Sequence, residues 1–472
     1  VEVENFRSLE KTRILDLKDV NVFVGPNNAG KSSVLDALKL TAGACQHNPL
    51  DSPGRFGQMV FRHEQDLNVK VTLKISLSPQ DRRSLLEQLF ASNKVLKPDR
   101  VEQSELLSRL NYHFVLSREG LEEEALGCSD FFGDVMLLLG RKREKDGRWV
   151  ETYVQLQEAC KDLAAEGSII VSPKTTPLRA PPPDLILLVS PSLVLEHRIM
   201  QMVREYVLQW RWLNPSRLSS TSQPPSEQME LSPSGDNLPT VLNTINSNDP
   251  DLLVRIKDEV HKIIPDVMRL LAPLTGGVTT ILTSEEDPAV RFDPIYMSFG
   301  IQQAIILVAR LLTMKSGSLL IMEEPENHLH ARSQRRLLEL LRRCASNGVQ
   351  TFLTTHSSIL TGCSDDMQTY LVRKREGITS IRPIEEPSEL RLVKAELGHR
   401  NVDFYSYDYV VLVEGETEDL ALPLIADSMG YDFVGMGVKI INIRGKGKVS
   451  KIEEYLSCLL YTSDAADEED SV

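Results

Sequence analysis

Nine consecutive residues, Gly25 to Ser33, read GPNNAGKSS. They follow an apolar run, Val20-Asn21-Val22-Phe23-Val24, and precede Val34, Leu35, Leu38 and Leu40 at helical spacing. A strand, a glycine-rich turn and a helix in that order form the setting in which G-x-x-x-x-G-K-S holds a nucleoside triphosphate. Gly25 and Gly30 let the backbone curl, so that several N–H groups point inward. The helix start adds its own free N–H groups and the positive end of its dipole. Lys31 reaches the β- and γ-phosphates, and the Ser32 hydroxyl takes Mg²⁺. The expected nucleotide-binding residues are Gly25, Asn27, Asn28, Ala29, Gly30, Lys31, Ser32 and Ser33.

Two carboxylates stand where they serve such a site. Leu319-Leu320-Ile321-Met322 reads as a buried strand and ends in Glu323 and Glu324. Glu323 is the expected Mg²⁺ carboxylate. Glu324 is the expected residue that orients or deprotonates the attacking water. The next apolar run, Thr351–Thr355, ends in His356, a candidate γ-phosphate sensor. Upstream, Ser298 and Gly300 open an apolar helix and can offer a hydroxyl and backbone N–H groups to a phosphate.

A second carboxylate pair follows the strand Tyr409–Val413. Glu414 falls at the strand tip and Glu418 in the first turn of a helix running from about Asp419 to Met429. Gly415 permits the sharp turn between them. Both carboxylates can then face one point, as a divalent-metal site needs. A strand at Val438–Ile443 leads to Arg444, Lys446, Lys448 and Lys451, positive charge suited to a phosphate backbone.

The elements that must position these residues follow from pattern. Val1–Glu4 and Arg13–Leu17 read as two short strands around Asn5-Phe6-Arg7-Ser8. Val69–Leu77 alternates as a half-buried strand, and Asp81–Phe90 has the spacing of an amphipathic helix. Tyr112–Leu116, Val135–Leu139 and Trp149–Leu156 read as further strands. Ser172–Asp184 and Asn214–Pro239 read as loops. Leu193–Trp212 has the spacing of an inserted helix, and Asp251–Leu271 that of another. A basic helix follows His330, with Arg332, Arg335, Arg336, Arg342 and Arg343. Two apolar strands that end in polar side chains predict a parallel sheet with its chemistry at the carboxyl edge. Sustained heptads are lacking, which disfavours a long coiled-coil arm.

Composition bounds the rest. The chain has 472 residues, 41% hydrophobic and 25% charged, as in globular multidomain proteins. No apolar run approaches the ~18 residues of a membrane span. The six cysteines have no metal-ligand spacing, which predicts reduced thiols and a cytoplasmic location. A formal net charge of −14 argues against nucleic-acid binding by bulk charge, though not against a local basic groove. The last stretch, Cys458 to Val472, closely resembles the translation of a sequencing adapter and is expected to be an artefact; its acidic residues carry no functional weight here.

The order GPNNAGKSS, SFGIQQ, LLIMEEPENHLH, TTHS resembles an ABC-type ATPase head of the kind found in DNA-repair proteins. The resemblance implies a homodimer in which Ser298 and Gly300 of one subunit close on the nucleotide of the other. Glu323 stands where many relatives have Asp, and Ala331 where proline is common. Gln58 is the candidate for the class's loop glutamine. The pattern V-V-L-V-E-G-E-T-E, a strand, then G-K-G-K resembles the start of a Toprim fold. An ABC head joined to a C-terminal Toprim resembles the OLD (overcoming lysogenisation defect) family of ATP-dependent nucleases. That implies two-metal cleavage of DNA with Mg²⁺ or Mn²⁺ held by Glu414 and Glu418, and Lys446 as a phosphate contact. The family's downstream Asp-x-Asp motif is not reached, so the Toprim domain is expected to be partial.

The expected fold class is thus α/β. It comprises an ABC-type P-loop ATPase head over residues 1–395, with a mixed β lobe and a helical insertion at about 185–275, then a partial Rossmann-like Toprim domain over 405–457. The expected function is an ATP-hydrolysing head that regulates a metal-dependent DNA endonuclease. A RecF- or SMC-like DNA clamp without nuclease activity is the alternative, disfavoured by Val411–Glu418. A small-molecule phosphoryl transferase is a third reading, for which no substrate pocket is suggested. Phage defence comes from the resemblance only, and a partner helicase leaves no mark in the sequence.

Overall fold

The computed structural model describes residues 1–45, 53–79 apart from 65, 82–83, 108–129 apart from 119, 135–143, 149–153, 174–177, and large parts of 199–215, 228–284, 297–385 and 409–442. Helices and strands are numbered in chain order.

Six strands form the sheet that holds the ends of Val20–Val24, Leu319–Glu323 and Gln350–Thr354 side by side. In spatial order they are β10 (Arg211–Leu213), β15 (Leu319–Glu323), β16 (Gln350–Thr354), β3 (Val20–Val24), β17 (Met367–Arg375) and β18 (Ile378–Pro383). The first five run parallel, and β18 closes the edge antiparallel to β17. Every residue of β3 is buried. A continuous apolar run of this kind fits a strand covered on both faces. Phe23 looks to one side, stacked on Phe352 and Tyr370 with ring centroids 6.2 and 5.1 Å away. Val20, Val22 and Val24 look to the other, into a separate apolar cluster.

Each face has its own cover. On the Phe23 side lies α1 (Lys31–Cys45), which buries Val34, Leu35 and Leu38. The same cluster takes in Val3, Phe6, Val71 and Phe114 from an eight-stranded sheet. That sheet is antiparallel throughout, in the order β2 (Leu9–Arg13), β1 (Glu2–Phe6), β4 (Val69–Ser76), β5 (Arg109–Ser117), β6 (Gly120–Ser129), β7 (Val135–Arg143), β8 (Trp149–Tyr153) and β9 (Lys174–Pro177). A short helix, α2 (Pro53–Met59), lies beside it.

The valine side is covered by α3 (Leu238–Asn248), α4 (Pro250–Ile263), α5 (Phe299–Thr313) and α6 (Ala331–Ser346). Caps fix where two of these begin. The Asp249 carboxylate accepts from Leu252 N at 3.0 Å, and the Ser298 hydroxyl accepts from Ile301 N at 3.3 Å, each satisfying a donor that the first helical turn leaves free. The helix α5 is apolar apart from Gln302, Gln303 and Arg310, and it is buried from Gly300 to Leu311. Its one charge, Arg310, donates to the carbonyls of Leu231 and Ser232, and burial pulls its pKa down to about 10. Two ribbons, β11 (Arg269–Leu271) with β14 (Leu282–Ser284) and β12 (Leu274–Thr275) with β13 (Val278–Thr279), complete this part.

Further along, β19 (Tyr409–Val413) pairs parallel with β20 (Val438–Asn442), and α7 (Glu416–Ser428) makes the crossover between them. Among the described residues, no helix is long and apolar enough to cross a membrane.

Several sequence expectations need correction. The second strand is Leu9–Arg13 rather than Arg13–Leu17, because the chain reverses tightly at Arg7 (φ +49°) and Ser8. Leu193–Trp212 is not one helix: helical residues give way at Gln209, and Arg211–Leu213 joins the parallel sheet beside β15. Lys174–Pro177, inside the proline-rich stretch read as a loop, is a strand paired with β8. Asp251–Leu271 divides into α4 and β11, since Pro265 follows directly on the helix cap Ile264, which is extended. The predicted helix Asp81–Phe90, apart from Arg82 and Arg83, and the tail from Cys458 lie outside the described residues.

Candidate nucleotide site at the sheet edge

The parallel register lines up three strand ends. Glu323 on β15 stands beside Thr354 on β16, and Thr354 stands beside Phe23 on β3. Glu324, His356 and Gly25 therefore leave the sheet from the same carboxyl edge, where ligands of open α/β sheets are held.

The phosphate-type loop is shaped by what flanks it. A Cβ on Gly25 would lie 2.1 Å from the Val372 carbonyl oxygen of β17. At Gly30, where φ is +103°, a Cβ would lie 2.2 Å from Thr379 Oγ1 of β18. Thr379 Oγ1 in turn donates to Ala29 O at 2.9 Å. Asn27 and Asn28 are exposed at the loop tip, and Asn28 adopts φ +63°. Ser33 is buried and accepts from the Ser8 hydroxyl at 3.5 Å.

Lys31 is only 7% exposed. Its Nζ donates to Gly25 O at 2.8 Å and Pro26 O at 3.1 Å, and lies 3.1 Å from His356 Nε2. Burial pushes the Lys31 ammonium below its ordinary range, opposed by the carboxylates of Glu324 and Glu326. The same His356 nitrogen is 3.4 Å from Glu324 Oε1. It therefore faces a donor and an acceptor at once. The tautomer with a bare Nε2 accepts from Lys31, and the one carrying a proton there donates to Glu324.

Glu324 has φ +45°, a conformation that favours glycine. Three contacts fix it there. Its N–H donates to Thr354 O at 3.0 Å, its Oε2 accepts from Asn327 Nδ2 at 3.0 Å, and its Oε1 faces His356. His356 is itself anchored from behind, since its N–H donates to Glu326 Oε1 at 2.7 Å.

The donor set fits a hard divalent cation. Ser32 Oγ donates to Glu323 Oε2 at 3.1 Å, so a hydroxyl and a carboxylate oxygen already stand side by side. Glu323 Oε1 accepts from Lys39 Nζ at 2.6 Å, and Lys39 also pairs with Asp36 at 3.2 Å. Burial works to lower the Lys39 pKa, but the contacts with Glu323 and Asp36 outweigh it and hold the ammonium above its ordinary range. Asp36 is paired in turn with Arg7. Sequence reading missed Lys39, Asp36 and Glu326. The spacing held a signal for two of them: Ser32, Asp36 and Lys39 fall at i, i+4 and i+7 on one face of α1.

Ser298 and Gly300 lie at the start of α5. Ser298 is exposed, with its hydroxyl committed to capping the helix. Gly300 is buried, and a Cβ there would lie 2.3 Å from His328 O. Close packing against the loop after Glu324 thus demands glycine at 300 on its own account. Gln58 is exposed on α2. At the second site only half the pair is described. Glu418 is exposed on α7, and its carboxylate folds back so that a Cβ on Gly415 would meet Oε2 at 2.6 Å. Glu414, Arg444, Lys446, Lys448 and Lys451 lie outside the described residues. Among the described residues no cluster of three metal-type ligands occurs.

Comparison with known proteins follows this division. Residues 1–109 match the AAA ATPase domain family, and residues 230–361 match a family described as an AAA domain, putative AbiEii toxin, type IV TA system. Residues 406–461 match the overcoming lysogenization defect protein-like TOPRIM domain. The Old nuclease of Escherichia phage P2 is 25% identical over 256 residues, covering 48% of this chain and 42% of that protein. The chain thus spans less than half the length of that relative. Among solved structures, an Smc head bound to the C-winged helix domain of ScpA covers 82% of this chain and 98% of its own, at 12% identity and a TM-score of 0.44. The SMC head domain from Thermotoga maritima covers the same shares at 13% identity and a TM-score of 0.35. The chain combines AAA-type ATPase segments with a following Toprim segment. That order of segments is similar to an OLD-type ATPase–Toprim protein.

Proposed function

We propose that the chain binds and hydrolyses ATP at the sheet edge and thereby controls cleavage of DNA at its Toprim segment. One observation carries the first half: Lys31 Nζ, His356 Nε2 and Glu324 Oε1 follow one another at 3.1 and 3.4 Å across three strand ends. In this reading the loop from Gly25 to Ser33 cradles the phosphates. Lys31 leaves the loop carbonyls for the β- and γ-phosphates. Ser32 and Glu323 hold Mg²⁺, which would neutralise charge on the phosphate oxygens. Glu324 holds the attacking water and takes up its proton, and His356 contacts the γ-phosphate. Ser298 and Gly300 serve the nucleotide of a second copy, so the working unit is a homodimer.

The second half rests on the OLD-like TOPRIM match at residues 406–461 together with Glu414 and Glu418 at a strand–helix junction. Those two carboxylates would hold Mg²⁺ or Mn²⁺, which would supply charge neutralisation for cleavage of a DNA phosphodiester, and the basic residues after β20 would bind neighbouring phosphates. A role in phage defence and a helicase partner belong to the same reading. A DNA clamp without nuclease activity would leave the TOPRIM match unexplained.

Two assays test the two halves. Lys31→Ala should weaken ATP binding at least about a hundredfold, through loss of the charge on the phosphates; unchanged affinity would refute the site. Supercoiled plasmid with Mg²⁺ or Mn²⁺ should be nicked by the protein and not by Glu414→Ala. Equal nicking by both would refute the nuclease assignment.

A further inference from the structure

Four charges alternate in sign between the β1–β2 turn and the nucleotide site. Arg7 pairs with Asp36, Asp36 with Lys39 at 3.2 Å, and Lys39 with Glu323 at 2.6 Å. Arg7, at the outer end, is 41% exposed, and the other three are more enclosed. The side chains of Asp36, Lys39 and Glu323 are 23%, 26% and 31% exposed, so their interactions are only partly screened. Both Glu323 oxygens are engaged, Oε1 by Lys39 and Oε2 by the Ser32 hydroxyl.

This arrangement has an electrostatic consequence. With Lys39 in place, the four groups balance to no net charge, and a dication arriving at Glu323 meets an ammonium already bound there. Without Lys39, Asp36 and Glu323 become two carboxylates balanced by Arg7 alone, a surplus of one negative charge that attracts a dication. A triphosphate changes the sum in the same direction, because it brings enough negative charge for both cations.

We infer that Lys39 is a positioning residue that acts as the resident counter-cation of Glu323. It holds the carboxylate against Ser32 and makes divalent-metal uptake depend on the arrival of nucleotide. The inference rests on the reading of Glu323 as a metal carboxylate and goes beyond it by assigning the control of that metal to Lys39.

The test is a Mn²⁺ titration of protein without nucleotide, following free Mn²⁺ by electron paramagnetic resonance. Apart from the Mn²⁺ held by Glu414 and Glu418, wild type should bind Mn²⁺ weakly. Lys39→Met should bind it about tenfold more tightly or better, as expected from removing one positive charge at this range in a half-buried site. Lys39→Arg should behave as wild type, and Lys39→Met with Glu323→Gln should lose the added affinity. A merely structural lysine would show none of these ion-specific changes. Lys39→Gln, which keeps hydrogen-bonding capacity, provides the same readout if the Met variant does not fold. Wild-type Mn²⁺ affinity in both neutral variants would overturn the inference. Glu323→Gln separates this from the underlying reading, because it should remove most of the Mg²⁺ dependence of ATP binding. If it does not, the reading of Glu323 and the assignment of Lys39 both fall. If it does and the neutral Lys39 variants are unchanged, only the assignment of Lys39 falls.

Discussion

The two carboxylate sites proposed for this chain differ in what the described residues place around them. At the sheet edge each functional side chain is held by at least one other element. Glu324 on the loop after β15 is fixed from β16, His356 is anchored by Glu326, and Glu323 is gripped from α1. Among its described residues the Toprim segment has two paired strands and one helix, and these expose apolar side chains. Leu420 and Leu424 on α7 are 73% and 72% exposed. Rigidity at the first site comes from parallel strands covered on both faces; at the second, among the described residues, the Glu418 carboxylate lies against the turn at Gly415. A site buried in crossing contacts should break sharply under substitution. A site on a lightly packed segment should tolerate change around it.

Paired glycine substitutions expose that difference most strongly. Gly25→Ala puts a Cβ 2.1 Å from the Val372 carbonyl, in the middle of the sheet edge. It should cost about 3 kcal/mol or more in denaturant unfolding, because backbone cannot move aside cheaply. ATP binding should fall with it. Gly430→Ala, after α7, meets nothing within 4 Å and has only its φ of +81° against it. It should cost about 1 kcal/mol. Equal losses would erase the distinction.

A smaller effect should appear in acid. Burial works to raise the Glu259 pKa, but Arg343 and Lys262 outweigh it and hold the carboxyl below its ordinary 4.5. These partners lie at 3.0 and 2.8 Å, so Glu259 ties α4 to the last turn of α6. A depressed carboxyl contributes stability above its unfolded pKa and loses it as pH falls through the folded value. Wild type should therefore lose stability below about pH 4.5, and Glu259→Gln should lose about 1 kcal/mol less over that window. Parallel acid curves for the two proteins would count against the ion pair. The smallest effect is expected at Leu424→Lys, within about 0.5 kcal/mol of wild type in unfolding, since the side chain is already in solvent.

Sequence reading and structure agree best where chemistry and pattern coincide. The loop Gly25–Ser33, the strand before it and the carboxylate end of β15 were legible because glycine, lysine and paired glutamates have few other reasons to share that order. β17 was not, since its first six residues are buried on both faces and give no alternation. α3 was hidden by Thr, Asn and β-branched residues, which have weak helix propensity; burial of Leu238, Val241, Leu242 and Ile245 makes the helix instead. The partners that tune the site were invisible for another reason. Lys39 and Glu323 are 284 residues apart, and only the parallel register brings them together. For Gly300 the sequence suggested a phosphate contact, and the structure adds a packing demand from His328 that pattern cannot reveal.

The account depends most directly on Glu324, whose left-handed backbone and three contacts aim one carboxylate at the Lys31–His356 edge. The decisive measurement is ATP binding and ATP turnover on Glu324→Gln under the same conditions. The isosteric amide keeps the contacts and removes the base. The account predicts near wild-type ATP affinity with turnover lowered by about a hundredfold or more. Turnover at the wild-type rate, with affinity unchanged, would contradict it.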